Sequence, residues 1–239
     1  MSRRTKHKSK DTNIVNINEY IQRKTKVLLI PRNLNQENYI TKLLHPNNVI
    51  VFGVGPAGTG KTMLAVLAAL KELKERSVER IVITRPAVGV DDERHGFLPG
   101  DLNRKMEPWT RPIFDVIQEY YSPKQIKEMI DEMVIEISPL AFMRGRTFKN
   151  SFIIADEMQN ATPNQMKMLL TRIGEGSRMA VTGDIQQTDR KEAQNGLIDF
   201  RNLFNCYANS QYIQFVKFNY TDIERHPVVS EILSIYGDK

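Results

Sequence analysis

Gly55-Pro56-Ala57-Gly58-Thr59-Gly60-Lys61-Thr62 fits the pattern G-x-x-x-x-G-K-[ST], the phosphate-binding loop of nucleoside triphosphatases. Its flanks carry as much weight as its letters. Before it, Val49, Ile50, Val51 and Phe52 form an unbroken apolar run rich in β-branched residues, as a parallel strand covered on both faces requires. After it, Met63, Leu64, Val66, Leu67, Leu70 and Leu73, interleaved with alanines, read as a largely buried helix. In that order of strand, glycine-rich loop and helix, backbone N–H groups close around phosphate oxygens at the positive end of a helix dipole. Gly55, Pro56, Ala57, Gly58, Thr59 and Gly60 then form the cradle, Lys61 reaches the β- and γ-phosphates, and the Thr62 hydroxyl holds Mg²⁺. The expected fold class is α/β, a RecA-like P-loop sandwich of three layers around a mostly parallel sheet.

Upstream of the loop, Val27-Leu28-Leu29-Ile30, ended by Pro31, reads as an edge strand. A short helix follows, with Tyr39 or Ile40 and Leu43 and Leu44 at helical spacing. Gln36, at the start of that helix, is a candidate for reading the adenine edge, because its amide donates and accepts at once. The alternative for Gln36 is a solvated or capping side chain.

Downstream, Arg80 to Thr84 reads as the next buried strand, and Val88 to Lys105 as a long loop. Trp109 lies between Pro108 and Arg111-Pro112 and is expected to pack half-buried. Helices are expected near Ile113–Tyr121 and Lys124–Met133, the second opened by Ser122 as N-cap and Pro123 at the first helical position. Val134 to Ile137 is a further strand, and Phe152-Ile153-Ile154-Ala155 is another that ends in Asp156-Glu157. An acid at the C-terminal end of a core strand can join the Mg²⁺ shell, and its neighbour is free to polarise a water. Asp156 and Glu157 take those two roles.

Thr162-Pro163-Asn164-Gln165 carries a threonine N-cap, a proline at N1 and a glutamine at N3. Met166, Leu169, Leu170 and Ile173 form the buried stripe of that helix, with Gly174 as its stop. The strand Met179 to Thr182 leads to Gly183-Asp184-Ile185-Gln186-Gln187, and Gln187 is assigned to sense the γ-phosphate or orient the attacking water.

The totals bound these readings. With 239 residues, 41% hydrophobic and 26% charged, the chain has the composition of a soluble globular protein. It shows neither an apolar run of bilayer length nor a secretory signal, so a cytoplasmic location and no membrane partner are expected. Cys206 is the only cysteine, which excludes an intrachain disulfide and a cysteine-held zinc. Of the net charge of +6, most sits in residues 1–12, with Arg3, Arg4, Lys6, Lys8 and Lys10 against Asp11. Residues 1–12 are expected to be a basic disordered tail, either a nucleic-acid arm or a solubilising one, and 13–239 a single ATPase domain.

The motifs together resemble the PhoH-like ATPases, which are related to the core of superfamily 1 helicases. The resemblance runs from about Asn35 to the C-terminus. It rests on Val54 to Thr62, Arg85-Pro86-Ala87-Val88, Gly96-Phe97-Leu98-Pro99-Gly100-Asp101-Leu102, Ser138-Pro139-Leu140 with Phe142 to Thr147, Asp156-Glu157-Met158-Gln159-Asn160, Gln165 to Met168, Thr182-Gly183-Asp184 and Arg225-His226-Pro227. Ala155, Met158 and Trp109 depart from the leucine, alanine and tyrosine of the family pattern. The resemblance implies ATP as the nucleotide, ATP hydrolysis and an RNA helicase role.

Superfamily 1 helicases close the nucleotide site between two domains, and the 55 residues after Asp184 leave no length for a second core. An arginine opposite the γ-phosphate is therefore expected from a neighbouring subunit, and with it a homo-oligomeric ring, expected to be a hexamer. Arg144, Arg146, Arg172 and Arg225 are the candidates, the last between a short strand Tyr212–Phe218 and a terminal helix His226–Tyr236. Two functions compete, an ATP-driven motor or remodeller of RNA or single-stranded DNA and an ATP-dependent switch acting on a protein. A GTPase is disfavoured because no Asn-Lys-x-Asp motif occurs. A small-molecule kinase is disfavoured because adjacent acids suit water activation.

Overall fold

The computed structural model describes residues 26–86, 102–186, 195–207 and 210–224, with Val228, Glu231, Ile232 and Ile235 as further helical positions. The described chain alternates helices and strands: α1 (Leu34–Leu44), β1 (Ile50–Val54), α2 (Lys61–Lys74), β2 (Arg80–Thr84), α3 (Leu102–Gln118), α4 (Pro123–Asp131), β3 (Ile135–Ile137), β4 (Ser151–Ala155), α5 (Pro163–Leu170), β5 (Arg178–Gly183), α6 (Gly196–Cys206) and β6 (Ile213–Lys217). The strands form one sheet in the order β3-β2-β4-β5-β1-β6. Every pairing in it is parallel. The expected α/β sandwich is thus present, with β6 as one edge strand.

The apolar runs are continuous because both faces of the sheet are covered. Side chains alternate across the pleat, so Ile81 and Ile83 enter a core with Tyr39, Leu64, Leu70 and Ile117, under α1 to α4. Val82 enters the opposite core with Phe52, Ile153, Met166 and Leu197, under α5 and α6. Leu64 and Leu70 are fully buried, and each such side chain contributes about 1.5–3 kcal/mol. The helix that follows the phosphate loop is therefore anchored by the core. Parallel strands all point one way, and β5 lies between β4 and β1. The ends of these three strands consequently meet at one rim of the sheet, which is where a doubly covered sheet binds its ligands.

Three expectations change. Val27–Ile30 is not a strand: the segment joins no ladder, and Val27 and Leu29 pack as side chains into the core shared with α1 and α2. The long loop does not reach Lys105, since α3 begins at Leu102 and continues through Pro108 and Pro112. Burial of Ile113 and Ile117 against the core, with α3 lying on α2, outweighs the hydrogen bonds that the prolines remove. Gly174 does not stop α5, which ends at Leu170 with Thr171 as C-cap. Gly174 is needed instead for close approach, because a Cβ there would lie 2.4 Å from the carbonyl oxygen of Phe148.

Ser122 and Thr162 cap α4 and α5 with complete capping boxes, as their sequences require. The tail 1–12, residues 88–101 of the expected loop, the Trp109 side chain and most of the expected terminal helix lie outside the described residues. Among the described residues no helix is long and apolar enough to cross a membrane.

Candidate active site

The phosphate loop leaves β1 through Gly55, whose φ is 152°. A Cβ at that position would meet the carbonyl oxygen of Phe218 at 2.4 Å, so only glycine lets the loop cross β6 there. Gly60, at φ 82°, turns the chain into α2, and no side chain caps that helix. The loop is pinned from three directions. Gly55 N–H donates to Gly183 O (3.1 Å), Glu224 N–H donates to Gly58 O (2.9 Å), and Gln36 Nε2 donates to Thr59 O (3.1 Å).

Gln36 is buried against the phosphate loop rather than solvated. It is 1% exposed, and its Oε1 accepts from Arg32 N–H at 2.9 Å. Its amide thus links the phosphate loop to the entry of α1. Lys61 is 7% exposed, and its ammonium donates to Gly55 O (2.7 Å), Pro56 O (2.6 Å) and Thr59 Oγ1 (3.2 Å). Burial pushes its pKa below the ordinary lysine value, against the opposing pull of Asp184, Asp156 and Glu157.

Opposite Lys61, β4 delivers the two acids. Asp156 follows Ala155 directly and is fixed by its N–H, which donates to Thr84 O at 3.0 Å. Its Oδ1 accepts from Thr62 Oγ1 (2.8 Å) and from Thr182 Oγ1 (2.5 Å). Glu157 takes a left-handed backbone, φ 54° and ψ 37°, which sends its side chain away from that of Asp156 and into the cleft. Its Oε2 accepts from Gln159 Nε2 at 2.5 Å, while Gln159 Oε1 accepts from Asp184 N–H at 3.1 Å. The resulting cavity of about 240 Å³ is walled by the loop from Ala57 to Met63 together with Asp156, Glu157 and Asp184.

The residues present fit Mg²⁺. Thr62 Oγ1 and Asp156 Oδ1 are two hard oxygens already in contact. Mg²⁺ typically takes one or two protein ligands of this kind and completes its octahedron with phosphates and waters. No cluster of three His, Cys, Asp or Glu side chains suited to an all-protein metal cage occurs among the described residues.

The remaining candidates separate. Arg146 forms a two-pronged ion pair with Glu136, with Nη2 to Oε2 at 3.0 Å, and stacks 4.5 Å from the Phe148 ring centroid. The hydrogen bond to Glu136 raises its pKa above the ordinary arginine value. Arg172 donates to the carbonyl oxygens of Met168 and Arg146, each at 3.1 Å. Both guanidinium groups are thus engaged within this chain. Arg144 is exposed on the Gly145 loop. Gln187 and Arg225 lie outside the described residues.

Asp184 and Gln159 were not singled out as site residues from sequence, yet the structure brings both to the cleft. The signals were there: an acid one residue past a buried strand, and a glutamine two residues past the paired acids.

A family model described as PhoH-like protein matches residues 28–237. A PhoH-like protein of Mycobacterium tuberculosis is 44% identical over 208 residues, covering 87% of this chain and 57% of that one. A PhoH-like protein of Bacillus subtilis is 41% identical over 206 residues, covering 86% and 63%. Protein PhoH of Escherichia coli is 35% identical over 212 residues, covering 87% and 58%. The chain therefore spans less than two thirds of the length of these curated relatives.

Proposed function

The chain belongs to the PhoH-like family, and from that premise we propose that it is an Mg²⁺-dependent ATPase that acts in the cytoplasm as a homo-oligomeric ring on single-stranded nucleic acid. One observation carries the ATPase part: Thr62, Asp156, Glu157 and Lys61 converge on a single cavity from the ends of β1 and β4. Lys61 lies among the loop carbonyls, and its ammonium would contact the β- and γ-phosphates. Thr62 and Asp156 would hold Mg²⁺, which when bound neutralises phosphate charge.

Glu157, positioned by Gln159, accepts a proton from the attacking water as the water oxygen bonds to the γ-phosphorus. The bond between that phosphorus and the bridging oxygen breaks, giving ADP and inorganic phosphate. Gln187 orients the water. Negative charge that develops on the γ-phosphate in the transition state favours a further cation beside Lys61 and Mg²⁺. Of the candidate arginines that the structure describes, Arg144, exposed on its loop, is the one not engaged within this chain and so serves a neighbouring subunit, and six subunits are the expected ring.

ATP turnover of the full chain, measured with and without single-stranded RNA across a salt series, tests this reading. Stimulation that weakens with salt is expected. ATP turnover without any response to RNA or DNA would replace the motor with an ATP-dependent switch on a protein.

A further inference from the structure

A second cleft, of about 670 Å³, opens on the other side of the phosphate loop, between α6, β6 and the turn at Asn219 and Tyr220. Its volume lies in the range of about 300–1,000 Å³ typical of ligand sites. Gly55 and Pro56 form part of its wall, as does Asp184. Arg201 reaches it from α6 and Lys217 from the end of β6. Among the described residues neither cation has a hydrogen bond or an ion pair.

Asn205 lies one turn beyond Arg201 on the same wall, and Tyr220, 58% exposed, forms the rim. The Tyr220 hydroxyl donates to Gln186 Oε1, and Gln186 N–H donates to Asp184 Oδ1 at 3.0 Å. The rim of this cleft is thus wired to a carboxylate of the nucleotide cavity.

Two unpaired cations, one amide and one accessible aromatic face are the groups that recognise a nucleotide: phosphate, base edge and base face. We propose that this cleft binds one nucleotide unit of a single-stranded nucleic acid, with its phosphates on Arg201 and Lys217, its base against Tyr220 and its base edge at Asn205. The proposal rests on the nucleic-acid reading above and gives it an address. A duplex does not fit the same chemistry, because its bases offer no free face to a tyrosine ring. Contact with Gly55, Pro56 and, through Gln186, with Asp184 gives the strand a direct mechanical hold on the ATP site.

The test is fluorescence anisotropy of a short labelled oligouridylate on the full chain with Mg²⁺ and a non-hydrolysable ATP analogue, over a salt series. The paired substitution Arg201→Ala with Lys217→Ala should weaken binding about tenfold or more and flatten the log–log salt slope by about 1.4, at roughly 0.7 per lost phosphate contact. Tyr220→Ala should weaken binding about tenfold at every salt concentration with the slope unchanged, whereas Tyr220→Phe should bind as the wild type does. Unchanged thermal midpoints verify the fold. If the paired variant unfolds early, Lys217→Ala alone carries the test, since that side chain is exposed.

Wild-type binding that these variants leave intact would place the strand elsewhere and overturn the cleft while sparing the nucleic-acid reading. No wild-type binding at any salt concentration would overturn both. Displacement of the oligonucleotide by uridine monophosphate at equal concentration would make this a site for a free nucleotide and overturn the strand.

Discussion

Glu157 sits in left-handed backbone, a conformation that costs a β-carbon residue about 1–2 kcal/mol. The surrounding contacts hold it there, and the carboxylate is aimed into the cleft by Gln159. Replacing Glu157 with glutamine keeps the shape and removes the proton acceptor, so Mg²⁺-ATP should still bind while turnover falls by about 10²–10⁴-fold. Nucleotide binding by calorimetry beside a phosphate-release assay separates these effects, and normal hydrolysis would remove Glu157 as the base. Glu72 makes a second prediction. It is 5% exposed, with Oε1 2.7 Å from Arg178 and Oε2 buried without a partner. Burial raises its pKa, outweighing the lowering by Arg178. A folded value above the unfolded one gives stability that is complete below about 4.3 and is lost as pH rises through the folded value. Glu72→Gln, which stays neutral, should therefore gain on the wild type in denaturation midpoint as pH rises through that window; the opposite trend would put the ion pair above the burial cost. Residue identities at the nucleotide cavity are legible because phosphate binding and turn geometry admit few residue types: Lys61, Thr62, Asp156 and Glu157 line one cavity. The partner of Gln36 was not, since an amide satisfies its donors and acceptors with whatever tertiary packing brings near, here Thr59 and Arg32. Arg146 likewise meets Glu136 from another strand, a pairing that sequence spacing does not encode.

Elements obeyed local signals where those signals act locally. The Thr162 hydroxyl accepts from Gln165 N–H at 3.2 Å, and the Gln165 side chain returns the bond to Thr162 N–H at 2.9 Å. Thr162→Ala should cost about 1 kcal/mol of stability, read as a lower urea midpoint with an unchanged m-value. A fall much beyond that would mean the threonine supports the neighbouring α6 as well. Gly183 offers a sharper test of how an element reaches the chemistry. A Cβ there would lie 2.7 Å from Leu197 Cδ2 and 2.8 Å from Gln159 Oε1, so Gly183→Ala should displace the glutamine that holds Glu157. Turnover should fall about tenfold or more with nucleotide affinity largely retained, an order of magnitude expected of a misplaced catalytic group. Elements that the sequence misread share one cause. The apolar run Val27–Ile30 and the proline-bearing α3 are decided by tertiary packing, of Val27 and Leu29 in the one and of Ile113 and Ile117 in the other, and a window of neighbours contains no record of that packing.

At the scale of the molecule, an arginine acting from a neighbouring subunit on the γ-phosphate, as proposed above, makes assembly part of the site. Mass measured by light scattering should rise to a closed oligomer with ATP and Mg²⁺. A mixture of Lys61→Ala and Arg144→Ala chains, each inactive alone, should recover turnover, because one kind of mixed interface joins an intact Lys61 to an intact Arg144. A monomer that hydrolyses ATP at the full rate would remove the ring. The sheet order has a consequence of its own. β1, which carries the phosphate loop, pairs with β5 on one side and β6 on the other, so its two neighbours come from far later in the chain, Arg178–Gly183 and Ile213–Lys217. During translation the ribosome therefore makes the phosphate loop early and its supports late. The β1 strand and the loop that follows it gain their last sheet neighbour only when residues beyond Lys217 have cleared the exit tunnel, so a prematurely terminated product would carry the phosphate loop without that support.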